Sequence, residues 1–370
     1  MPCADLNLPA LSESDPGKPI KASWGDRVVQ AISDNCDSIQ GFGKANSVFD
    51  VFAGDGSLGD LDVVGPTSLN VPSVGMQFEN LTIRAGQILT LIRTAPFLTP
   101  VDSFGIYKIG VSGKLRLEAS AILTAAGRGR FGGAGGIGAP PFTNNATAGT
   151  TGQSNFRYGL GQGGSGAGGG GGAGAFAGLN GAGGGYGGWM LGHLWNYPPG
   201  AAGGIGGVSI GQAGLAGQPI QVSTLRSGMD LDVMAAGIGG SGGGGGGAGF
   251  NPFQFGSGGG AGGNGGGTII LEVNELEVFL PAPTIIANAN NGVGGTAGAA
   301  GGGAGGGGSG GAGGVIFLCY RESLPSGPNF PATSVNGGLG GPGGAPGLAA
   351  FSQGGNGGNS SVGFVQFRQV

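Results

Sequence analysis

Gly265-Gly-Gly-Thr-Ile-Ile-Leu-Glu-Val273 decides the fold. Three residues without side chains run straight into six that are mostly β-branched and apolar, too hydrophobic to stay in water and suited to a sheet. The junction recurs: Val-Ile-Phe-Leu-Cys-Tyr at 315–320 follows Gly313-Gly314, Val208-Ser-Ile210 follows Gly206-Gly207, and an apolar run at 362–367 follows the last tract. Other runs lead into glycine: 121–126 before Gly127, 229–236 before Gly237, 284–290 before Gly292 and 333–336 before Gly337. The unit is a strand in, a glycine tract out and back, and a strand out. Four copies can be read, too irregular in spacing for a strict repeat.

Glycine supplies 97 of 370 residues, without the G-X-Y period of collagen. Such tracts are flexible linkers by default, because glycine loses the most backbone entropy on ordering. The flanking strands favour order: they form a base that brings the ends of each tract together. Extended polyglycine helices, with three residues per turn and about 3.1 Å rise, can then pack closely and hydrogen-bond to one another, as buried backbone requires. The expected fold is mainly β: a short N-terminal helix at 1–45, a small all-β domain at 46–126, and at 127–370 a β base carrying a polyglycine-II helix bundle.

The tract interruptions are candidate tips. Phe250-Asn-Pro-Phe-Gln-Phe255 breaks the tract 237–267 near its middle, where the chain should reverse. Phe156 and Tyr158 lie in the first tract, as do Trp189, His193, Trp195 and Tyr197, and Phe351 interrupts the last. Rigidly presented aromatic rings beside Asn and Gln suit recognition, so Phe156, Tyr158, Trp189, His193, Trp195, Tyr197, Phe250, Phe253, Phe255 and Phe351 are the candidate receptor-binding residues. The alternative is that these rings cap the bundle.

Charged residues are 9% of the chain and the net charge is −4, with none between Gly159 and Leu225. Without a basic stripe, nucleic acid and anionic membranes are not expected partners. Met1–Gly17 has no apolar signal-peptide core, and no stretch reads as a membrane span. Cys3, Cys36 and Cys319 have neither disulfide-framework nor metal-ligand spacing, so no cofactor and no metal are expected. Ser23 can cap a helix that ends at Gly41, and Trp24, Val28, Ile32, Cys36 and Ile39 form one stripe along it. So narrow a stripe on a short helix needs a partner. Threefold self-association is the expectation, and docking on the β domain the alternative. From 47 to 126, Leu81–Arg84, Gln87–Ile92, Tyr107–Val111 and Lys114–Ala119 alternate apolar and polar residues, separated by Gly86, Gly110 and Gly113. They read as a small all-β domain or the start of a β-helical stack.

Lys18-Pro-Ile-Lys-Ala-Ser-Trp-Gly-Asp26, Asn80-Leu-Thr-Ile-Arg-Ala-Gly86 and Ile109-Gly-Val-Ser-Gly-Lys-Leu-Arg-Leu117, followed by glycine tracts, resemble glycine-rich bacteriophage virion proteins. The C-terminal block resembles the receptor-binding adhesins at the tips of long tail fibres, where polyglycine helices form a sandwich and the loops between them contact the host. The resemblance implies a non-enzymatic virion protein, a tail fibre or adhesin made in the host cytoplasm and mounted on a tail appendage. Its implied partners are copies of itself in a homotrimer, other virion proteins through the N-terminal segment, and a host glycan or outer-membrane protein. The chain departs from those adhesins in its N-terminal helix and β domain, and in the tract 292–314, which has no aromatic tip.

Other motifs carry less. Gly127-Arg-Gly-Arg-Phe-Gly132 has dinucleotide-loop spacing, but glycine and not a helix follows it. Asp55, Asp60 and Asp62 gather in a turn without the order of a calcium loop. Glu275 and Glu277 share a strand face, which suits a glycosidase pair only in principle and a solvated face more simply. His193 has no acid beside it in sequence for a catalytic triad. Three classes remain: an adhesin, a purely structural head fibre, decoration or collar protein, and an ice-binding glycine-helix protein, which would need regularly spaced Thr or Ala.

Overall fold

A computed structural model describes residues 49, 51–72, 74–93, 105–129, 131–137, 257–298, 304–323, 330–345, 353–360 and 362–370. The expected N-terminal helix, with Trp24, Val28, Ile32, Cys36 and Ile39, lies outside them. Among the described residues the protein is mainly β and contains no helix.

The strands are β1 (Leu61–Val63), β2 (Thr67–Asn70), β3 (Met76–Phe78), β4 (Leu81–Ile83), β5 (Ile88–Ile92), β6 (Ile106–Leu117), β7 (Ile122–Thr124), β8 (Thr268–Val278), β9 (Thr284–Ile286), β10 (Val315–Ser323), β11 (Ala332–Ser334) and β12 (Phe364–Gln369). They form two parallel sheets. The first runs β1-β4-β6-β8-β10-β12 with β3 also on β6, and the second runs β2-β5-β7-β9-β11. From β4 onward the chain alternates between the sheets and adds each strand next to its predecessor, which is a β-helical stack.

Register puts like on like. Ile109, Leu271, Leu318 and Phe367 align across the first sheet, and Leu89, Leu123 and Ile285 across the second. These rows interleave in one core with Leu81, Ile83, Leu91, Leu115, Ile269 and Ile316. Each fully buried aliphatic side chain contributes about 1.5–3 kcal/mol. Because β6 pairs with β8 and β7 with β9, both sheets run without interruption across position 126.

The runs at 107–111 and 114–119, expected as separate strands, belong largely to the single strand β6, with an irregularity between Val111 and Lys114. Gly110 and Gly113 are therefore not turns. A Cβ on Gly110 would lie 2.6 Å from Ala53 O, and one on Gly113 2.5 Å from Asn80 Oδ1, so these glycines admit close neighbours. Gly86, with φ +69°, does turn the chain.

The other face of the first sheet buries Ile106, Ile270, Val315, Phe317 and Cys319, with Phe52 and Phe364 packed against them. The turn containing Phe52 is tied there: Ala53 N donates to the buried Glu272 carboxylate at 3.2 Å, and the Arg321 guanidinium lies 4.9 Å from the Phe52 ring centroid.

Candidate functional site

Among the described residues, the glycine arms leave the second sheet and return to the first. Chain 127–137 departs after β7 and 257–267 enters β8. Chain 287–298 departs after β9 and 304–314 enters β10. Chain 335–345 departs after β11 and 353–363 enters β12, with Ser361 not described. These arms are extended, and they bond at every third residue. Gly260, Gly263 and Gly266 N donate to the carbonyls of Gly306, Ser309 and Ala312, between parallel arms. Asn290, Val293 and Thr296 N donate to those of Asn264, Ala261 and Gly258, between antiparallel arms. Gly338, Gly341 and Gly344 N donate likewise to Gly311, Gly308 and Gly305.

This period explains where glycine is required. On arm 335–345, a Cβ at Gly338, Gly341 or Gly344 would lie 2.0–2.2 Å from the carbonyl oxygens of Asn290, Val293 and Thr296. At Gly340 or Gly343 it would lie 1.9 or 1.7 Å from those of Gly357 and Gly354. The third position of each turn, Asn336, Leu339, Pro342 and Ala345, is exposed. Arm 304–314 is buried throughout and takes glycine toward two neighbours, with small Ser309 and Ala312 in the third position.

Asparagine ties the outer arms. Oδ1 of Asn288, Asn291, Asn356, Asn359 and Asn264 accepts from the backbone N of Asn336, Leu339, Gly343, Gly340 and Gly132 respectively, at 2.7–3.0 Å. At the base, Tyr107 Oη donates to Arg128 O at 3.2 Å, and burial pushes its hydroxyl up to about 12.

The far ends of the arms meet. Ser257 Oγ donates to Ala297 O and Thr296 Oγ1 to Gly258 O, at 2.8 and 2.6 Å. Gly298 N donates to Ala345 O, Gly344 N to Gly305 O, Gly354 N to Gly344 O and Gly259 N to Gly136 O. The three described arm pairs therefore reach their breaks at one end of the bundle, remote from the sheets. Phe156, Tyr158, Trp189, His193, Trp195, Tyr197, Phe250, Phe253 and Phe255 fall in sequence between Ile137 and Ser257, and Phe351 between Ala345 and Gln353. These candidate recognition residues lie outside the described residues.

The sequence reading missed exposed rows on the arms themselves. Phe131, Ala134 and Ile137, then Val293 and Thr296, then Leu339, Pro342 and Ala345 are exposed at three-residue intervals. The signal was present as non-glycine residues recurring every third position.

The remaining motifs find structural places. Gly127, with φ +62°, turns the chain out of β7 into an extended arm, not a helix. Asp55 accepts from Ser57 N, Asp60 from Asn80 Nδ2, and Asp62 pairs with Arg84, so the three carboxylates are spent separately. Among the described residues, no group of acids, His and Cys could hold a metal. Glu275 and Glu277 flank Lys114 Nζ at 3.9 and 4.0 Å, and Arg116 lies 3.7 Å from Glu277, an ion ladder across β6 and β8. Cys319 is a buried free thiol between Glu272 and Arg368 in the register of the sheet. Protein-family models, curated proteins and solved structures give no match to this chain.

Proposed function

We propose that this chain is a bacteriophage structural protein, a tail fibre or receptor-binding adhesin that contacts the host through aromatic tip loops. The carrying observation is that outgoing and returning arms of three units end together, away from the sheets. Arms of about 30 Å, at roughly 3.1 Å per residue, would hold whatever joins them well clear of the β base. Both sequence intervals that bear the candidate rings start and finish at that end. A rigid scaffold displaying variable loops suits recognition.

In this reading the arms are polyglycine-II helices, which their three-residue period of hydrogen bonds and close contacts supports. The N-terminal segment forms a helix that joins three copies and attaches them to other virion proteins, and the tips engage a host glycan or outer-membrane protein. The protein acts without a cofactor and without catalysing a reaction.

The alternative is a head fibre, decoration or collar protein whose tips touch neighbouring subunits. Electron microscopy of particles labelled with an antibody against 250–255 separates the two. Label at the free end of a tail appendage is the expected result. Label on the capsid, or an epitope closed off at a collar, sinks receptor binding as the main role.

A further inference from the structure

We propose that Asn336–Gly337 is a self-modification site, at which Asn336 loses its amide and becomes aspartate or isoaspartate, while the fold slows the same reaction at the other asparagine–glycine pairs of the described arms. Asparagine is chemically labile, and a following glycine favours the reaction because no side chain hinders its nitrogen as it turns onto the amide carbon. Four such pairs lie in these arms: Asn264–Gly265, Asn291–Gly292, Asn336–Gly337 and Asn356–Gly357.

Exposure does not separate the last three. Asn291, Asn336 and Asn356 are all exposed, and the glycine after each is half-buried. Hydrogen bonds do separate them. Asn291 Oδ1 accepts from Leu339 N at 2.9 Å while Gly292 N donates to Leu339 O at 2.8 Å. Asn356 Oδ1 accepts from Gly343 N at 2.8 Å while Gly357 N donates to Gly341 O at 2.9 Å. In both pairs the side chain and the attacking nitrogen are tied to a neighbouring arm, and ring closure has to break both ties. Asn264 Oδ1 accepts from Gly132 N, and Gly265 is buried.

Asn336 is held by its main chain instead, with N donating to Asn288 Oδ1 and O accepting from Ala289 N. Among the described residues its side chain bonds only to Ser334 Oγ, through Nδ2 at 3.2 Å, and Gly337 N has no acceptor. The sequence supplies the reason. Asn359 and Asn356 accept from Gly340 N and Gly343 N, so the next rung of this antiparallel ladder sets residue 362 against Gly337 N. That residue is Val362, 62% exposed, which has no side-chain oxygen.

In the reaction Gly337 N gives up its proton and bonds to Asn336 Cγ, the Cγ–Nδ2 bond breaks, and Nδ2 leaves as ammonia. Water then opens the succinimide ring. Cleavage at Cγ gives aspartate, and cleavage at the main-chain carbonyl gives isoaspartate. Water enters and ammonia leaves, with no oxidant and no other reactant. Either product places a carboxylate on arm 335–345, which has no charged side chain. Isoaspartate also lengthens the backbone just ahead of Gly338, whose N donates to Gly311 O and whose Cβ would lie 2.0 Å from Asn290 O. The arm beyond it then loses its three-residue register, so conversion acts as a clock on the third arm pair. The inference does not depend on the tips or on host attachment.

Ageing the full-length chain at mildly alkaline pH tests it, with peptide mass spectrometry and isoaspartyl methyltransferase labelling following each pair. In denaturant all four pairs should react at nearly one rate. In the folded chain Asn291 and Asn356 should be slower than Asn336 by roughly ten- to a hundredfold, since two hydrogen bonds must break first. Val362→Asn, which supplies the missing acceptor at an exposed site, should slow Asn336 toward the other two, and the Asn291 rate in the same digest reports that the bundle stays intact. The melting midpoint should fall as the parent ages and should hold in Asn336→Gln. An Asn336 that reacts in the folded chain as slowly as Asn291 and Asn356 overturns the proposal, as does an Asn336 rate unchanged in an intact Val362→Asn variant. A midpoint that holds after full conversion overturns the clock.

Discussion

A methyl group on Gly308 would sit 2.0 Å from the carbonyl oxygen of Ala261, on the arm beside it. No rotation of a side chain relieves that contact, because both partners are backbone. Gly308→Ala must therefore push two arms apart at the centre of the bundle. Gly258→Ala is the matched control: its Cβ would lie 3.5 Å from Gly136 O, ordinary contact. Overpacking commonly costs about 1–3 kcal/mol and more where nothing can yield. Thermal unfolding of the full chain should show a clear loss for Gly308→Ala and little change for Gly258→Ala. Equal stabilities would mean that the arms are not packed as described.

Alkaline pH should weaken the fold in two steps. Burial first, and then the nearby Glu272 charge, push the Cys319 thiol up to about 12 from 9.0, while Arg368 acts in the opposite direction. Burial pushes Tyr107 up to about 12 from 10.0. Both groups hold their protons in the folded state after the unfolded chain has released them. Their contribution is thus complete below the unfolded values and is lost as pH rises from about 9 toward 12. Unfolding midpoints should fall over that window, and Cys319→Ala should flatten its lower part. In the same vein, iodoacetamide at about pH 8 should leave Cys319 unmodified until denaturant is added, as mass spectrometry of the peptide would report.

Much of the β base was legible because its signals are local. Val315–Tyr320 is apolar on both faces and Thr268–Val273 nearly so apart from Thr268 and Glu272, and both runs are buried on both faces. The short strands β1, β2 and β3 were missed, since three or four residues such as Met76–Phe78 carry too little alternation to read. Gly110 and Gly113 misled for a physical reason: glycine marks either a turn or a close neighbour, and only the position of Ala53 and Asn80 distinguishes them. The exposed row of arm 335–345 was visible as Asn336, Leu339, Pro342 and Ala345, but three-residue spacing acquires meaning only once the arms are known to be bonded side by side. The tip residues were read from aromatic composition and from where they interrupt glycine tracts, and nothing in their spacing specifies a geometry.

Arg84 joins two carboxylates at one edge of the stack, at 2.8 Å from Asp62 and 3.0 Å from Glu118. Its hydrogen bonds hold Asp62 below the usual carboxylate range. Burial works against ionisation of Glu118, but the Ala85 N–H and Arg84 outweigh it and the net shift is downward. Depressed carboxylates stabilise the fold above their unfolded values and lose that contribution as pH falls through the folded ones. Arg84→Met should lower stability modestly at neutral pH, because the pair is exposed and screened, and the difference from the parent should vanish as pH falls through the folded values of Asp62 and Glu118. Salt titration should shrink the difference between the two proteins; a difference insensitive to salt would assign Arg84 a packing role instead.

Leu271 is fully buried and lies in register between Ile109 and Leu318. Leu271→Ala should cost about 2–5 kcal/mol in denaturant unfolding, from lost transfer energy plus the cavity. Because the core is continuous from β1 to β12, the arms should unfold together with the sheets in one transition. Hydrogen exchange that opens the arms at their own, unaltered free energy in this variant would show that the bundle is stable independently of its base.

The last expectation concerns the tips. If Phe250, Phe253 and Phe255 face a host receptor, each ring that anchors the contact accounts for about 2 kcal/mol, or roughly thirtyfold in affinity. Phe253→Ala should then lower adsorption of particles to cells by about that factor, while the unfolding midpoint stays at its parent value. The capping alternative predicts the reverse, a lowered midpoint with adsorption lost only in proportion to unfolded protein. The two measurements on one variant separate recognition from packing. Phe351→Ala, in an interval that leaves the same end of the bundle between Ala345 and Gln353, repeats the comparison on an independent unit.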